Sequence, residues 1–126
     1  MITPYVENIE RATLENTNFR TEVFTGEHLQ ITLMSIPVGG EIGIETHPHT
    51  DQFLRIEQGT GMAILGGQEY AIADDFAITI PAGTEHNVVN TGDVDMKLYS
   101  IYTPTEHPKG TVHVTKADAD AAEHSH

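Results

Sequence analysis

The stretch His47-Pro48-His49-Thr50-Asp51-Gln52, taken with Pro81-Ala82-Gly83-Thr84-Glu85-His86, decides how this chain must fold. Side chains of an extended strand alternate with a period of two residues, so His47 and His49 are expected on one face, where they can grip one ion. Gln52 has the wrong parity for an unbroken strand and joins them only if the chain turns at Thr50-Asp51, residue types that suit a turn. His86 stands far downstream of this pair. A site of His47, His49, Gln52 and His86 therefore demands an all-β fold that returns distant strands to one place.

The rest of the sequence supplies such strands. Thr21 to Thr25 precedes a turn at Gly26-Glu27, and His28 to Ile36 is stopped by Pro37 and Gly39-Gly40. In the second run Leu29, Ile31, Leu33 and Ser35 share one face and Gln30, Thr32, Met34 and Ile36 the other, as suits a barrel wall. Further strands are expected over Glu41 to His47, Phe53 to Gln58, Thr60 to Leu65, Gln68 to Ala73, Phe76 to Ile80, His86 to Asn90 and Met96 to Tyr102. Gly66-Gly67 permits a tight hairpin, because glycine accepts positive φ. Short strands with closely spaced turn signals and no intervening helix argue for a sandwich or barrel. Leu54, Ile56, Met62, Ile64, Ile78 and Val88 are the expected core.

At 126 residues the chain is long enough for one core and too short for two. Residues 1–20 read as an N-terminal arm in which Ile9, Ala12 and Leu14 make the apolar side of a short helix, and residues 21–104 as the barrel. Residues 105–126 read as an extension, with a short edge strand over Thr111 to Val114. Thr115 to Asp118 resembles a capping box, and fraying is expected after Ala122. With 19 acidic against 6 basic residues, the formal net charge of -13 makes nucleic acid and anionic membranes poor partners. There is no cysteine, so any metal must be held by His, carboxylate or amide ligands. No signal-like start or long apolar run is present, and a cytoplasmic location is expected.

The order Gly40, His47-x-His49, Gln52, Gly59 and later Pro81-x-Gly83-x-x-His86-x-x-x-Asn90 resembles the paired motifs of the cupin superfamily. That pattern is Gly, five residues, His-x-His, three or four residues, Glu, six residues, Gly; then Gly, five residues, Pro-x-Gly-x-x-His-x-x-x-Asn. On this reading Gly40 sits one residue early, Asp75 stands for the Gly that opens the second motif, and Gln52 replaces Glu after a gap of two. The resemblance spans roughly Leu29 to Tyr102 and implies a jelly-roll β-barrel of the small, single-domain, metal-binding kind. It implies one divalent transition metal, Mn²⁺, Fe²⁺, Zn²⁺ or Ni²⁺, on His47, His49, Gln52 and His86. Three imidazoles and an amide leave such an ion at about +2, whereas a Glu ligand would leave about +1.

The function expected is that of a metal-dependent enzyme on a small organic acid, keto-enol or aromatic substrate: an oxygenase, decarboxylase, cyclase or isomerase. The alternative is a non-catalytic module that holds a metal or metabolite. A metal-free epimerase and a sugar-phosphate isomerase fit the charge less well, since Arg55 and Lys97 alone would have to hold a phosphate. His28, His107, His113, His124 and His126 match no motif position and read as solvated, with His107 and His113 able to fold over the barrel mouth. Of Tyr99 and Tyr102 only one can face inward, and Arg55 and Glu57 read as an outer ion pair. A small-molecule substrate and a homodimer are the expected partners.

Overall fold

The computed structural model describes residues 1–124. In chain order the elements are α1 (Ile9–Glu15), β1 (Arg20–Thr25), β2 (Gln30–Ile36), β3 (Asp51–Gln58), β4 (Gly61–Leu65), β5 (Gln68–Ile72), β6 (Ala77–Ile80), β7 (His86–Asn90), β8 (Met96–Thr103), β9 (Val112–His113) and α2 (Lys116–His124). The strands form two antiparallel sheets, ordered β6-β3-β8-β2-β1-β9 and β5-β4-β7, which face each other as a jelly-roll barrel.

The registers show what fills the barrel. Across β2 and β8, Gln30 pairs with Tyr102, Thr32 with Ser100, Met34 with Leu98 and Ile36 with Met96. On the other side of β8, Gln52 pairs with Tyr102, Leu54 with Ser100 and Ile56 with Leu98. Paired residues share a face, and all of these are buried, so they form successive layers of the interior. The layers grade from Met34, Ile36, Ile56, Met96 and Leu98 at one end to Gln30, Gln52 and Tyr102 at the other. The mixed face of β2 is thus the inner one. Its polar end is where the site forms.

A buried amide is costly unless its hydrogen bonds are made. Gln30 makes all of them: Nε2 donates to Thr25 Oγ1 (2.9 Å) and the His107 carbonyl (2.6 Å), and Oε1 accepts from the backbone N–H of Glu106 (3.1 Å) and His107 (2.9 Å). This clamp draws residues 106 and 107 across the polar end of the barrel. Beyond it β9 pairs with β1, setting Arg20 opposite His113. The reciprocal bonds between Thr115 and Asp118 then cap α2, which continues through His124. The helix thus runs two residues past Ala122, after which fraying is expected, and residues 125–126 lie outside the described residues.

Three expectations are corrected. Glu41 to His47 is not a strand: it makes only the isolated bridges Glu41↔Val89 and Glu45↔His86, with Gly43 at φ 109° between them, and a turn follows at Pro48-His49. On β4 the inner positions are Gly61 and Ala63, while Met62 and Ile64 are only half-buried and face the other way. The cause is pairing with β7, which sets Gly61 opposite Asn90 and Ala63 opposite Val88; a Cβ on Gly61 would strike the Val89 carbonyl and Met96 Cε. Helix α1 buries Thr13 and half-buries Ile9, Ala12 and Asn16, leaving Leu14 37% exposed, because the face toward β2, β3 and β8 follows the i, i+3, i+4, i+7 row. Lys97 anchors that helix by donating to the Asn16 carbonyl (2.7 Å) and Ser35 Oγ (2.9 Å).

The other elements lie close to where alternation put them. Gly66 and Gly67 take φ 57° and 84° in the β4–β5 hairpin. No helix among the described residues is long and apolar enough to cross a membrane.

Candidate metal centre

Glu45 and His86 form an antiparallel bridge in which each backbone N–H donates to the other's carbonyl at 2.9 Å. Directly opposed side chains leave on the same side, so the carboxylate and the imidazole come together. Two residues on, His47 has the same parity, and its carbonyl accepts from Gly83 N–H (2.9 Å), tying the first motif to the turn before β7. Glu45 Oε2 stands 3.1 Å from His47 Nε2 and 3.9 Å from His86 Nε2. One donor atom from each residue lies within 4.8 Å of the others.

The remaining ring nitrogen fixes the tautomer of His86. His86 Nδ1 is 2.9 Å from the Thr84 carbonyl, an acceptor only, so the hydrogen is on Nδ1 and the lone pair of Nε2 faces the site. That buried Nε2 has no hydrogen-bond partner among the described residues. His47 Nδ1 is 2.9 Å from Glu106 Oε1, and Glu106 Oε2 accepts from Thr50 Oγ1 at 3.0 Å. A histidine ligand commonly gives its outer N–H to a carboxylate or carbonyl, and both imidazoles do so here.

These donors suit a divalent ion. Two atoms each about 2.1 Å from one ion lie about 3.0 Å apart at a right angle and about 3.4 Å apart at the tetrahedral angle; the Glu45–His47 separation of 3.1 Å falls in that range, and the Glu45–His86 separation of 3.9 Å is wider. The two imidazoles and the carboxylate are borderline and hard donors of the kind Mn²⁺, Fe²⁺, Zn²⁺ and Ni²⁺ accept. The orphaned His86 Nε2 is the observation that a bound ion explains.

Electrostatics agree. The hydrogen bond to Glu45 raises His47 above its ordinary value against the opposing effect of burial, and the Glu106 carboxylate adds to the rise. Burial alone would push Glu45 up, yet the hydrogen bond from His47 and the charges of His47, Arg20 and His86 hold it below the ordinary carboxylate range. Both shifts favour a proton at the place between His47 and Glu45 that an ion would take. Burial raises Tyr102, whose ring meets His47 edge-on at 6.2 Å and His107 at 5.1 Å. His107 is lowered to about 3, chiefly by burial and then by the Arg20 charge, and is neutral at neutral pH.

Of the four ligands expected, His47 and His86 lie in the group. His49 is exposed in the Pro48-His49 turn and does not share a face with His47, because the extended backbone ends before it. Gln52 is buried on the inner face of β3; its Nε2 donates to Ser100 Oγ (2.9 Å), and its Oε1 has no partner among the described residues. Glu45 is the member that residue type alone concealed. Spacing reveals it: Gly39, five residues, Glu45-x-His47, four residues, Gln52, six residues and Gly59 fit the paired-motif pattern without a gap. Glu45 then holds the first His position and Gln52 the Glu position. One carboxylate remains among the donors, and the site charge with a divalent ion is about +1 rather than +2. Asp75, at the missing Gly, adopts φ 70°, the left-handed conformation glycine would take.

Next to the group is a cavity of about 490 Å³ lined by Arg20, His47, Glu106, His107 and His113 among others. His107 and His113 are therefore mouth residues rather than solvated ones. Tyr102, at 1% exposure, faces inward and Tyr99 outward. Arg55 pairs with Glu57 at 2.8 Å and with Asp75 at 3.1 Å, on the opposite face of β3 from Gln52. Neither Arg55 nor Lys97 lines the cavity, whose cation is Arg20.

The family described as Cupin domain matches residues 32–102. The chain is similar to the YrkC protein of Bacillus subtilis (strain 168), with 56% identity over 126 residues, covering 95% of this chain and 68% of YrkC. It is 39% identical over 116 residues to protein L612 of Acanthamoeba polyphaga mimivirus, covering 89% of this chain and 72% of L612. The crystal structure of BH2720 from Bacillus halodurans superposes with a TM-score of 0.93 at 55% identity, covering 94% of this chain and 95% of that one.

Proposed function

The chain belongs to the cupin superfamily, and we propose that it is a divalent-metal-dependent enzyme acting on a small organic acid, keto-enol or aromatic compound, with Glu45, His47 and His86 as protein ligands. The observation that carries the reading is the convergence of His47 Nε2, His86 Nε2 and Glu45 Oε2 beside a cavity. A bound Mn²⁺, Fe²⁺, Zn²⁺ or Ni²⁺ ion would supply Lewis acidity toward a substrate oxygen.

The protein's own groups prepare that chemistry. Glu106 and the Thr84 carbonyl hold the Nδ1 protons of His47 and His86, so both rings present Nε2 inward without reorganisation. Tyr102 keeps its phenolic proton and is a hydrogen-bond donor at the inner wall. His107, neutral and with Nε2 unpartnered among the described residues, offers a second polar contact. The apolar layers below, from Leu54 to Met96, exclude water from the far side.

The test is metal content after purification and reconstitution, followed by turnover against a panel of keto acids and catechols. About one ion per chain with turnover of a panel member supports the proposal. One ion without turnover favours a binding or storage module, and no retained ion refutes the metal reading.

A further inference from the structure

We infer that Arg20 is the anion-binding residue of this cavity and that its ligand is a small monocarboxylate, seated with its carboxylate on the guanidinium. The inference rests on the metal reading only for the direction of the ligand's other end, toward Glu45, His47 and His86.

Arg20 opens β1 opposite Met34, on the inner face, and is only 3% exposed. Its Nη1 donates to His113 Nδ1 at 3.2 Å, and its Nε has no hydrogen-bond partner among the described residues. A guanidinium carries five N–H donors and a fixed charge, and burying that charge is costly unless an anion meets it. The nearby carboxylates are engaged elsewhere. Glu106 accepts from His47 and Thr50, and Glu45, although the charge of Arg20 acts on it, makes its short contacts with His47 and His86. Arg20, its Nε buried and unpartnered among the described residues, thus lines a cavity large enough for a molecule of about ten heavy atoms.

Charge selects the class of ligand. With a divalent ion in place, Glu45 and Glu106 cancel its charge and the single charge of Arg20 remains, which one carboxylate neutralises. A phosphate dianion would leave the pocket net negative beside Glu106, with no second Lys or Arg among the described residues that line it. The planar guanidinium also matches a carboxylate in a two-point contact that a neutral amide cannot reproduce.

The experiment is isothermal titration of the full chain with benzoate and with its neutral counterpart benzamide, on metal-stripped and manganese-loaded protein, for the parent, Arg20→Gln and Arg20→Lys. The parent is expected to bind benzoate at least tenfold more tightly than benzamide in both metal states. Arg20→Gln should abolish the preference by weakening benzoate binding at least tenfold, and Arg20→Lys should retain part of it. Equal binding of the two compounds by the parent, or no binding of benzoate, overturns the inference. A benzoate preference that needs manganese and survives Arg20→Gln also overturns it, placing the carboxylate on the ion and leaving the metal reading intact. Manganese content reports separately on that reading, since the stripped protein tests Arg20 without it. If Arg20→Gln does not fold, the ¹⁵N resonance of Arg20 Nε decides in the parent: a shift with benzoate and none with benzamide supports the seat, and no shift with either refutes it.

Discussion

Replacing His107 by Phe should make the protein less sensitive to acid. Gln30 clamps the backbone of His107 over the barrel mouth, the ring packs edge-on against Tyr102, and its Nε2 has no partner among the described residues. Burial lowers its folded value to about 3 from an ordinary 6.5. The sign follows from proton binding: between those limits the unfolded chain takes up the proton and the folded chain does not, so acid favours unfolding. His107 therefore costs no stability at pH 7.5 and about 1.4 kcal/mol for each unit below 6.5, reaching about 2.7 kcal/mol at pH 4.5. Phe keeps the ring contact and has nothing to protonate. Urea denaturation of metal-stripped parent and His107→Phe at pH 7.5, 5.5 and 4.5 measures the difference, in which the titrations of Glu45 and His47 largely cancel. The gap should move toward the variant by about 2–3 kcal/mol from pH 7.5 to 4.5. A gap constant to within about 0.5 kcal/mol would refute the burial argument.

Glu106→Gln should weaken metal binding roughly 10- to 100-fold without changing the stoichiometry, because the carboxylate behind His47 is lost while the three ligands stay; competition with a chromogenic chelator reads the affinity. Glu45→Ala should lose most bound metal, whereas His49→Ala should retain about one ion per chain; the reverse ranking in elemental analysis would restore the His47-x-His49 pair. Metal affinity should fall as pH drops through the raised His47 value, since a proton then competes at Nε2, and a flat profile in chelator titrations would contradict that competition. We also propose a homodimer, which sedimentation at micromolar concentration checks by a mass of two chains.

Much of the barrel was legible because alternation and turn chemistry are local. The Gly66-Gly67 hairpin and the runs that became β2, β3, β7 and β8 needed only neighbouring residues to be read. The face of β4 was not legible, because Met62 and Ile64 are the larger apolar residues and only pairing with β7 turns Ala63 inward. Glu45 was missed because the two histidines of His47-Pro48-His49 drew the pattern two residues downstream. Pro48 carries the explanation, since the chain turns there and His49 leaves the face of His47. Arg20, Glu106 and His107 could not be found by motif at all, because the Gln30 clamp and the β1–β9 pair that gather them link residues 76 or more positions apart. The interior amide of Gln30, on the mixed face of its strand, was the available hint that something polar closes that end.

The most direct measurement is an anomalous difference map from crystals grown with manganese, recorded where manganese scatters anomalously. One peak between Glu45 Oε2, His47 Nε2 and His86 Nε2, at about 2.0–2.3 Å from each, is the predicted result. A peak on His49, or none on the Glu45, His47 and His86 side chains, would contradict it.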